Sequence, residues 1–273
     1  MFEVTEQKQD DMPNQLNQCW MKISESIKNC TIYAVIVAGG KGLRMQSEIR
    51  KQYIEIAGTP LLAYTLGVFS SFDAICQIVL VIPEQDINYC FNNILLPYGF
   101  SEKVCMVSGG AERQQSVMNG LQKIEELERS EFSNNRDKKI VLIHDGVRPF
   151  VDHDIITRCI EGALNHGACI PVVPVYDTLK KRNSDGFVAG MVDRQNLYKV
   201  QTPQAFDLAL IIREHENAIH SGFSATDDAT LVEKLGKKVF MTQGSEKNIK
   251  ITTQEDLLFA EYIASVFVTG NLI

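Results

Sequence analysis

The chain has 273 residues, 45% of them apolar and 22% charged. That length and composition suit one large domain or two small ones with a sizeable core, and exclude a disulfide miniprotein, a collagen-like fibre and a wholly disordered chain. Its 27 basic and 34 acidic side chains leave a net charge of −7, which argues against a nucleic-acid binder with a broad basic face. No stretch approaches the roughly 18 consecutive apolar residues of a membrane span, so a soluble chain without a membrane partner is expected.

Residues 1–30 differ from the rest. Glu3 to Gln18 is polar and mixed in charge, with no positive segment leading into an apolar one, so it does not read as a secretory signal. It reads as a mobile tail or as a start-site artefact, with Met21 a candidate start. Residues 31–273 are expected to form one domain. From Thr31 onward, apolar runs at Ile32–Val37, Gln77–Ile82, Lys103–Val107, Ile140–His144 and Cys169–Val173 predict strands. Between and after them, helices are predicted near Pro60–Phe72, Gln85–Leu96, Glu112–Leu127, Asp152–Asn165, Asp207–Ile219, Asp227–Leu235 and Gln254–Val266. Continuously apolar strands are expected where helices cover both faces of a sheet. The alternation predicts an α/β fold: a Rossmann-like, mostly parallel sheet flanked by helices. Glu128–Lys139 reads as a surface loop. Pro174–Val200, with the turn Asn183-Ser184-Asp185-Gly186, reads as a projecting β-hairpin arm. The seven cysteines show no C-x-x-C spacing, as expected of reduced thiols packed in a cytoplasmic protein.

The most informative segment is Ala38-Gly39-Gly40-Lys41-Gly42-Leu43-Arg44-Met45, directly after the first strand. In an open α/β sheet, ligands bind beyond the carboxyl ends of strands. Glycines there let the backbone approach phosphate oxygens. The loop is not a Walker A motif, and Met45 stands where a dinucleotide fingerprint needs its third glycine. Lys41, Arg44, Arg50 and Lys51 place four cations within eleven residues of an acidic chain.

With Lys51-Gln52-Tyr53 and Gly58-Thr59-Pro60-Leu61 following it, this opening resembles the sugar-phosphate nucleotidyltransferases. Among them it is most similar to the 2-C-methyl-D-erythritol 4-phosphate cytidylyltransferase family. Further segments matching that family follow in order: Gly109 to Ser116, His144 to Pro149, Asp177 to Lys180, Val192 to Arg194, Gln201 to Gln204, Ala225 to Asp228 and Asn248 to Lys250. Together they span roughly Ile32 to Ala264.

The resemblance implies attack of a phosphate monoester on the α-phosphorus of CTP, with Arg44, Lys51 and Lys250 as the catalytic cations. It places the nucleotide against Ala38, Gly39, Gly40, Gly42, Gly109, Gly110, Ser116 and Asp145, and the acceptor near Asp145, Arg148, Thr178, Arg194 and Thr202. Asp145 is the candidate ligand for Mg²⁺ or another divalent metal. Some relatives are acidic at the position of Ala111, so backbone groups and Ser116 are expected to read the base. A homodimer is implied, the arm carrying Thr178 and Arg194 to the partner's acceptor. Relatives often carry Pro at the position of Arg50, which implies a looser loop before Lys51 here. His144 is read as a packing residue, and Asp227 and Asp228 as helix caps. A ribitol or ribulose 5-phosphate cytidylyltransferase and a non-catalytic nucleotide-binding module are the alternatives.

Overall fold

The computed structural model describes residues 25, 27–40, 50–130 and 138–269. Most of the N-terminal tail, the loop positions Lys41, Gly42 and Arg44, Cys19 and the centre of the Glu128–Lys139 segment lie outside these residues.

Four parallel strands form the heart of the sheet: β1 (Cys30–Val37), β4 (Ile75–Ile82), β5 (Val104–Ser108) and β6 (Lys138–Asp145). All four were legible as apolar runs. The sheet order is β10-β7-β11-β6-β1-β4-β5. The strands β7 (Ala168–Pro174) and β12 (Phe240–Gln243) pair in parallel, and β10 (Tyr198–Val200) runs antiparallel to β7. The short β11 (Gln204–Asp207) is inserted antiparallel between β6 and β7. A two-stranded ribbon, β2 (Glu55–Ile56) with β3 (Thr59–Pro60), precedes the first helix.

Strand periodicity divides the core into two layers. Ile32, Ala34 and Ile36 of β1 join Ile78, Leu80 and Leu142 on one face, against Leu66 and Phe69 of α1 (Leu61–Ser70) and Ile156 and Ile160 of α4 (His153–His166). Tyr33 and Val35 join Val79, Val81 and Val141 on the other face. There they meet Val117, Leu121 and Ile124 of α3 (Arg113–Ser130), Ile211 of α5 (Leu208–Ser221) and Val232 of α6 (Asp228–Lys234). A third cluster seats Ala260, Ile263 and Ala264 of α7 (Gln254–Thr269) on Ile56 and Leu61. Ile27 and Cys30 already pack into the first layer.

Helix starts follow the sequence. Asp152, Asp207 and Asp227 each accept a bond from the backbone N–H three residues on, at 2.7, 2.9 and 3.2 Å. Each such cap stabilises its helix by about 1 kcal/mol. Gly167 and Gly222 end α4 and α5 at φ 84° and 65°, in the left-handed region that favours glycine. The segment expected as one helix over Gln85–Leu96 is instead a 3₁₀ turn (Glu84–Asp86), one α turn, α2 (Ile87–Cys90), and a π turn (Phe91–Leu95). The side chains of Asn92 and Asn93 donate back to the carbonyls of Asn88 and Tyr89, the local competition that disfavours a regular ladder.

The arm is a two-stranded ribbon of β8 (Leu179–Arg182) and β9 (Val188–Val192). Its turn holds Gly186 at φ 94° and closes with Asn183 Oδ1 accepting from the Phe187 N–H at 2.8 Å. Of the stretch read as the arm, Tyr198–Val200 belongs to the main sheet.

Candidate active site

In β1, Val37 stands opposite Val81 of β4 and Asp145 of β6, so the carboxyl ends of neighbouring strands finish level. The chain order leaves β1 towards β4 on one side and β6 on the other, and a crevice opens where a parallel sheet reverses direction in this way. Backbone bonds carry the ladders just past the strands: Ala38 N–H to Val81 at 2.8 Å, Gly109 N–H to Ile82 at 2.8 Å and Gly146 N–H to Val37 at 2.9 Å. A side chain at Gly146 would put a Cβ 2.9 Å from that of Ala38, so glycine is required for these strand ends to meet.

Above this edge lies a cleft of about 1000 Å³. Its walls are Ala38-Gly39-Gly40, Pro83 to Gln85, Gly109 to Arg113, Ser116 and Asp145, with Lys51 and Lys250 also lining it. A Cβ at Gly39 or Gly40 would meet nothing within 4 Å, and neither has a positive φ. The fold itself does not demand glycine there, and the space above the two residues is open to a ligand.

The first turns of α3 organise the opposite wall. The Ser116 hydroxyl accepts from the Gly110 N–H and donates to the Glu112 carbonyl, both at 3.0 Å. With its proton engaged, that hydroxyl offers a ligand only an acceptor, which suits the amino donor of cytosine. Gln115 Oε1 accepts from the Ala111 N–H at 3.0 Å. Gln114 clamps the loop before α6, donating to the Phe223 carbonyl at 3.1 Å and accepting from the Ala225 N–H at 3.0 Å.

Asp145 sits among three cations. Lys250 Nζ is 2.9 Å from Oδ2, Arg148 Nε 3.6 Å from the same oxygen, and Arg113 Nε 3.5 Å from Oδ1. Burial alone would raise the carboxyl pKa, but Lys250, Arg113 and Arg148 together outweigh it and hold Asp145 well below the usual carboxylate range. Arg113 continues to Asp228, with Nη1 2.8 Å from Oδ2, and the other oxygen of Asp228 lies 3.1 Å from Nε2 of His215. Burial opposes the charge on Arg113, yet the carboxylates of Asp228 and Asp145 raise its pKa on balance.

His144 does more than pack. Its Nε2 lies 3.2 Å from the Arg148 carbonyl, which can only accept, so the neutral ring carries its proton there. Nδ1 then accepts from the Thr202 hydroxyl at 3.0 Å, and that hydroxyl accepts from the Asp145 N–H at 3.1 Å. Thr202 thus braces the backbone of Asp145. Burial pushes His144 down to about 3, against about 6.5 in an unfolded chain. Between those values the unfolded state binds a proton that the folded state does not. Stability is therefore full above pH 6.5 and falls on acidification, by up to about 1.4 kcal/mol per pH unit from this group. Asp145 and Asp228, lowered from 3.8, withdraw stability in the same direction but only below about pH 4. Urea unfolding between pH 7 and 5 checks this: the wild-type slope should flatten in His144→Gln.

A second cavity of about 410 Å³ shares Arg113, Asp145 and Lys250 with the cleft and adds Arg148 and Thr202. Of the expected acceptor residues, Asp145, Arg148 and Thr202 therefore come together. Thr178 and Arg194 do not join them within one chain. Both are exposed on the arm, where the Arg194 guanidinium donates to the Tyr176 carbonyl. Arg50, at the mouth of the cleft, pairs with Asp86 at 3.0 Å.

Among the described residues, no three His, Cys, Asp or Glu side chains form a cage for a metal ion. Asp145 is a single oxygen donor where the two cavities meet. Mg²⁺ commonly binds through one or two carboxylates completed by phosphates and water, so this donor set fits an ion that arrives with a nucleotide.

The sequence model of the family described as 2-C-methyl-D-erythritol 4-phosphate cytidylyltransferase matches residues 32–265. The chain belongs to that family. Curated relatives bearing that name include those of Clostridium acetobutylicum, 43% identical over 85% of this chain and 96% of its own length, and Clostridium beijerinckii, 44% identical over 85% and 97%. The solved structure of 4-diphosphocytidyl-2C-methyl-D-erythritol synthase from Anaerococcus prevotii superposes with a TM-score of 0.73 at 34% identity, covering 88% of this chain and 99% of that one. The Thermus thermophilus 2-C-methyl-D-erythritol 4-phosphate cytidylyltransferase gives 0.68 at 31%. As a member of this cytidylyltransferase family, the chain is a nucleotidyltransferase on a Rossmann-like fold. Arg113 and Asp228 fall within the matching motifs, but no local signal in the sequence assigns either a role in the site. What marks them is the run of ion pairs from Asp145 through Arg113 and Asp228 to His215, which arises only from tertiary contacts.

Proposed function

We propose that this chain transfers CMP from CTP to 2-C-methyl-D-erythritol 4-phosphate, a step in isoprenoid precursor synthesis. The observation that carries this reading is the convergence of Lys51, Lys250 and Asp145, with two glycine loops, on one cleft at the carboxyl edge of the sheet. An acceptor phosphate oxygen forms a bond to the α-phosphorus, the bond from that phosphorus to the β-phosphate oxygen breaks, and pyrophosphate leaves. Both reactants are anions, and two unit charges 4 Å apart repel by about 4 kcal/mol at an effective dielectric near 20. Lys51 and Lys250 offset this repulsion and stabilise charge developing on the α-phosphate, with Arg44 as a third cation from the first loop. The loops at Ala38–Gly40, Gly42 and Gly109–Gly110 take the nucleotide, and Ser116 meets the base. Asp145 would hold a divalent ion brought in with the nucleotide, and that ion would supply neutralisation of phosphate charge. Arg148 and Thr202 line the acceptor end.

Pyrophosphate release with CTP, Mg²⁺ and a panel of polyol phosphates tests the reading. Turnover with methylerythritol 4-phosphate should exceed that with ribitol 5-phosphate; the reverse order, or no release with any acceptor, rejects the assignment.

The working form is a homodimer whose arms exchange, so that Thr178 and Arg194 reach the partner's acceptor. Phe187 and Met191, 73% and 69% exposed on the ribbon, supply apolar surface for such a contact. Arg194→Ala and Lys51→Ala proteins, each inactive alone, should regain part of the activity when mixed and allowed to exchange subunits. Absence of rescue after confirmed exchange would falsify site sharing. A cytoplasmic setting, which keeps thiols reduced, suits the six buried or half-buried cysteines of the described residues.

A further inference from the structure

Lys51 stands at the start of a single 3₁₀ turn, Lys51–Tyr53. Its two neighbours, Gln52 and Tyr53, are buried, so the turn is anchored from below while Lys51 lines the cleft. A turn of three residues has too few internal bonds to hold a lysine by itself. Two contacts tie it to the segment that follows β4. The Tyr53 ring lies 4.8 Å from that of Tyr89, and Arg50 Nε lies 3.0 Å from Asp86 Oδ2. The Asp86 side chain is only 11% exposed and that of Arg50 30%, so solvent screens this pair less than a fully exposed one. Arg50 itself sits at φ −60°, ψ 137°.

We propose that Arg50 is a positioning residue for cytidylyl transfer: its ion pair with Asp86 fixes the turn that presents Lys51 to the triphosphate. The inference rests on the role assigned to Lys51 above. It differs from a direct role, in which the Arg50 charge would itself grip phosphate, because the guanidinium is already engaged by Asp86. What the chain needs at this position is restraint of the backbone entering the turn. A proline supplies that restraint without any charge, and φ −60° is the value its ring imposes.

Steady-state kinetics on the full-length enzyme separates the possibilities. Arg50→Ala should lower kcat by about tenfold, since a small misplacement of a reacting group costs one to two orders of magnitude, and should leave KM for CTP within about threefold. Arg50→Pro should recover most of the lost kcat. Asp86→Asn, which keeps the Arg50 charge, should match Arg50→Ala, and the double variant Arg50→Ala/Asp86→Asn should be no worse than either single one. Normal kcat in Arg50→Ala overturns the proposal. So does an Arg50→Pro that folds with the wild-type melting profile yet stays as impaired as Arg50→Ala while Asp86→Asn is normal, because the charge itself is then what matters. Should Arg50→Pro fail to fold, Asp86→Asn and the double variant decide alone: additive losses reject the latch and equal losses support it. Lys51→Ala runs alongside. Near-normal turnover there defeats the catalytic reading of Lys51 and the latch with it, whereas a dead Lys51→Ala beside a normal Arg50→Ala defeats the latch only.

Discussion

Lys51→Ala and Lys250→Ala should each lower kcat by about 10²–10³-fold, the typical loss when one preorganised charge is removed from a transition state. The two lysines reach the cleft from opposite ends of the chain, one from the turn after the first loop and one from the segment beyond β12. They differ in what they leave behind. Lys250 is the nearest cation to Asp145, at 2.9 Å, so its loss also frees that carboxylate to repel an incoming triphosphate. KM for CTP should therefore rise more in Lys250→Ala than in Lys51→Ala, with kcat falling in both. Asp145 keeps Arg113 and Arg148, so neither variant should unfold. Steady-state kinetics with thermal melting as a control provides the check, and near-normal turnover in either variant rejects its assigned role.

The parallel strands were legible in the sequence because burial by helices leaves a continuous apolar run, which short length and β-branched content separate from a buried helix. The residues of β11, Gln204-Ala205-Phe206-Asp207, carry no such signal. Their place between β6 and β7 is fixed by Gln204, whose amide donates to Asp227 and accepts from the N–H groups of Asp228 and Ala229. Likewise, Phe240–Gln243 is short and largely exposed, and it becomes a strand only because β7 offers an edge. The cleft was legible in part for a related reason. Glycine loops after strands announce themselves locally, and Lys51, Asp145 and Lys250 sit beside recognisable motifs. The supporting contacts do not. Asn248, fully buried, donates to the Thr202 carbonyl at 2.9 Å, while its own carbonyl accepts from Arg148 at 2.8 Å. These residues lie 46 and 100 positions apart in the chain. No local pattern encodes such a closure, and the same holds for the chain of contacts from Asp145 through Arg113 and Asp228 to His215.

Asp145→Asn should be the most damaging near-isosteric change in the molecule. The substitution keeps the shape and removes the one charge shared by Lys250, Arg113 and Arg148. Removing one member of a buried ion pair costs about 3–5 kcal/mol, and the low end applies because Lys250 and Arg113 are 41% and 28% exposed and can draw on solvent. A loss of about 3 kcal/mol corresponds to a melting point lowered by roughly 6–12 °C in a chain of this size. The vacated anionic position gives the loss a specific signature. Arg113 retains Asp228 and Arg148 retains the Asn248 carbonyl, so the cations stay near their places with one more uncompensated positive charge. Pyrophosphate or CTP should then raise the melting point of Asp145→Asn more than that of the wild type, while kcat falls by at least about 10²-fold because tighter binding of the ground state does nothing for the transition state. Calorimetry with and without pyrophosphate, paired with single-turnover rates, reads both effects. Wild-type stability in the variant, or an equal gain from the anion in both proteins, would show that Asp145 does not hold the cations together.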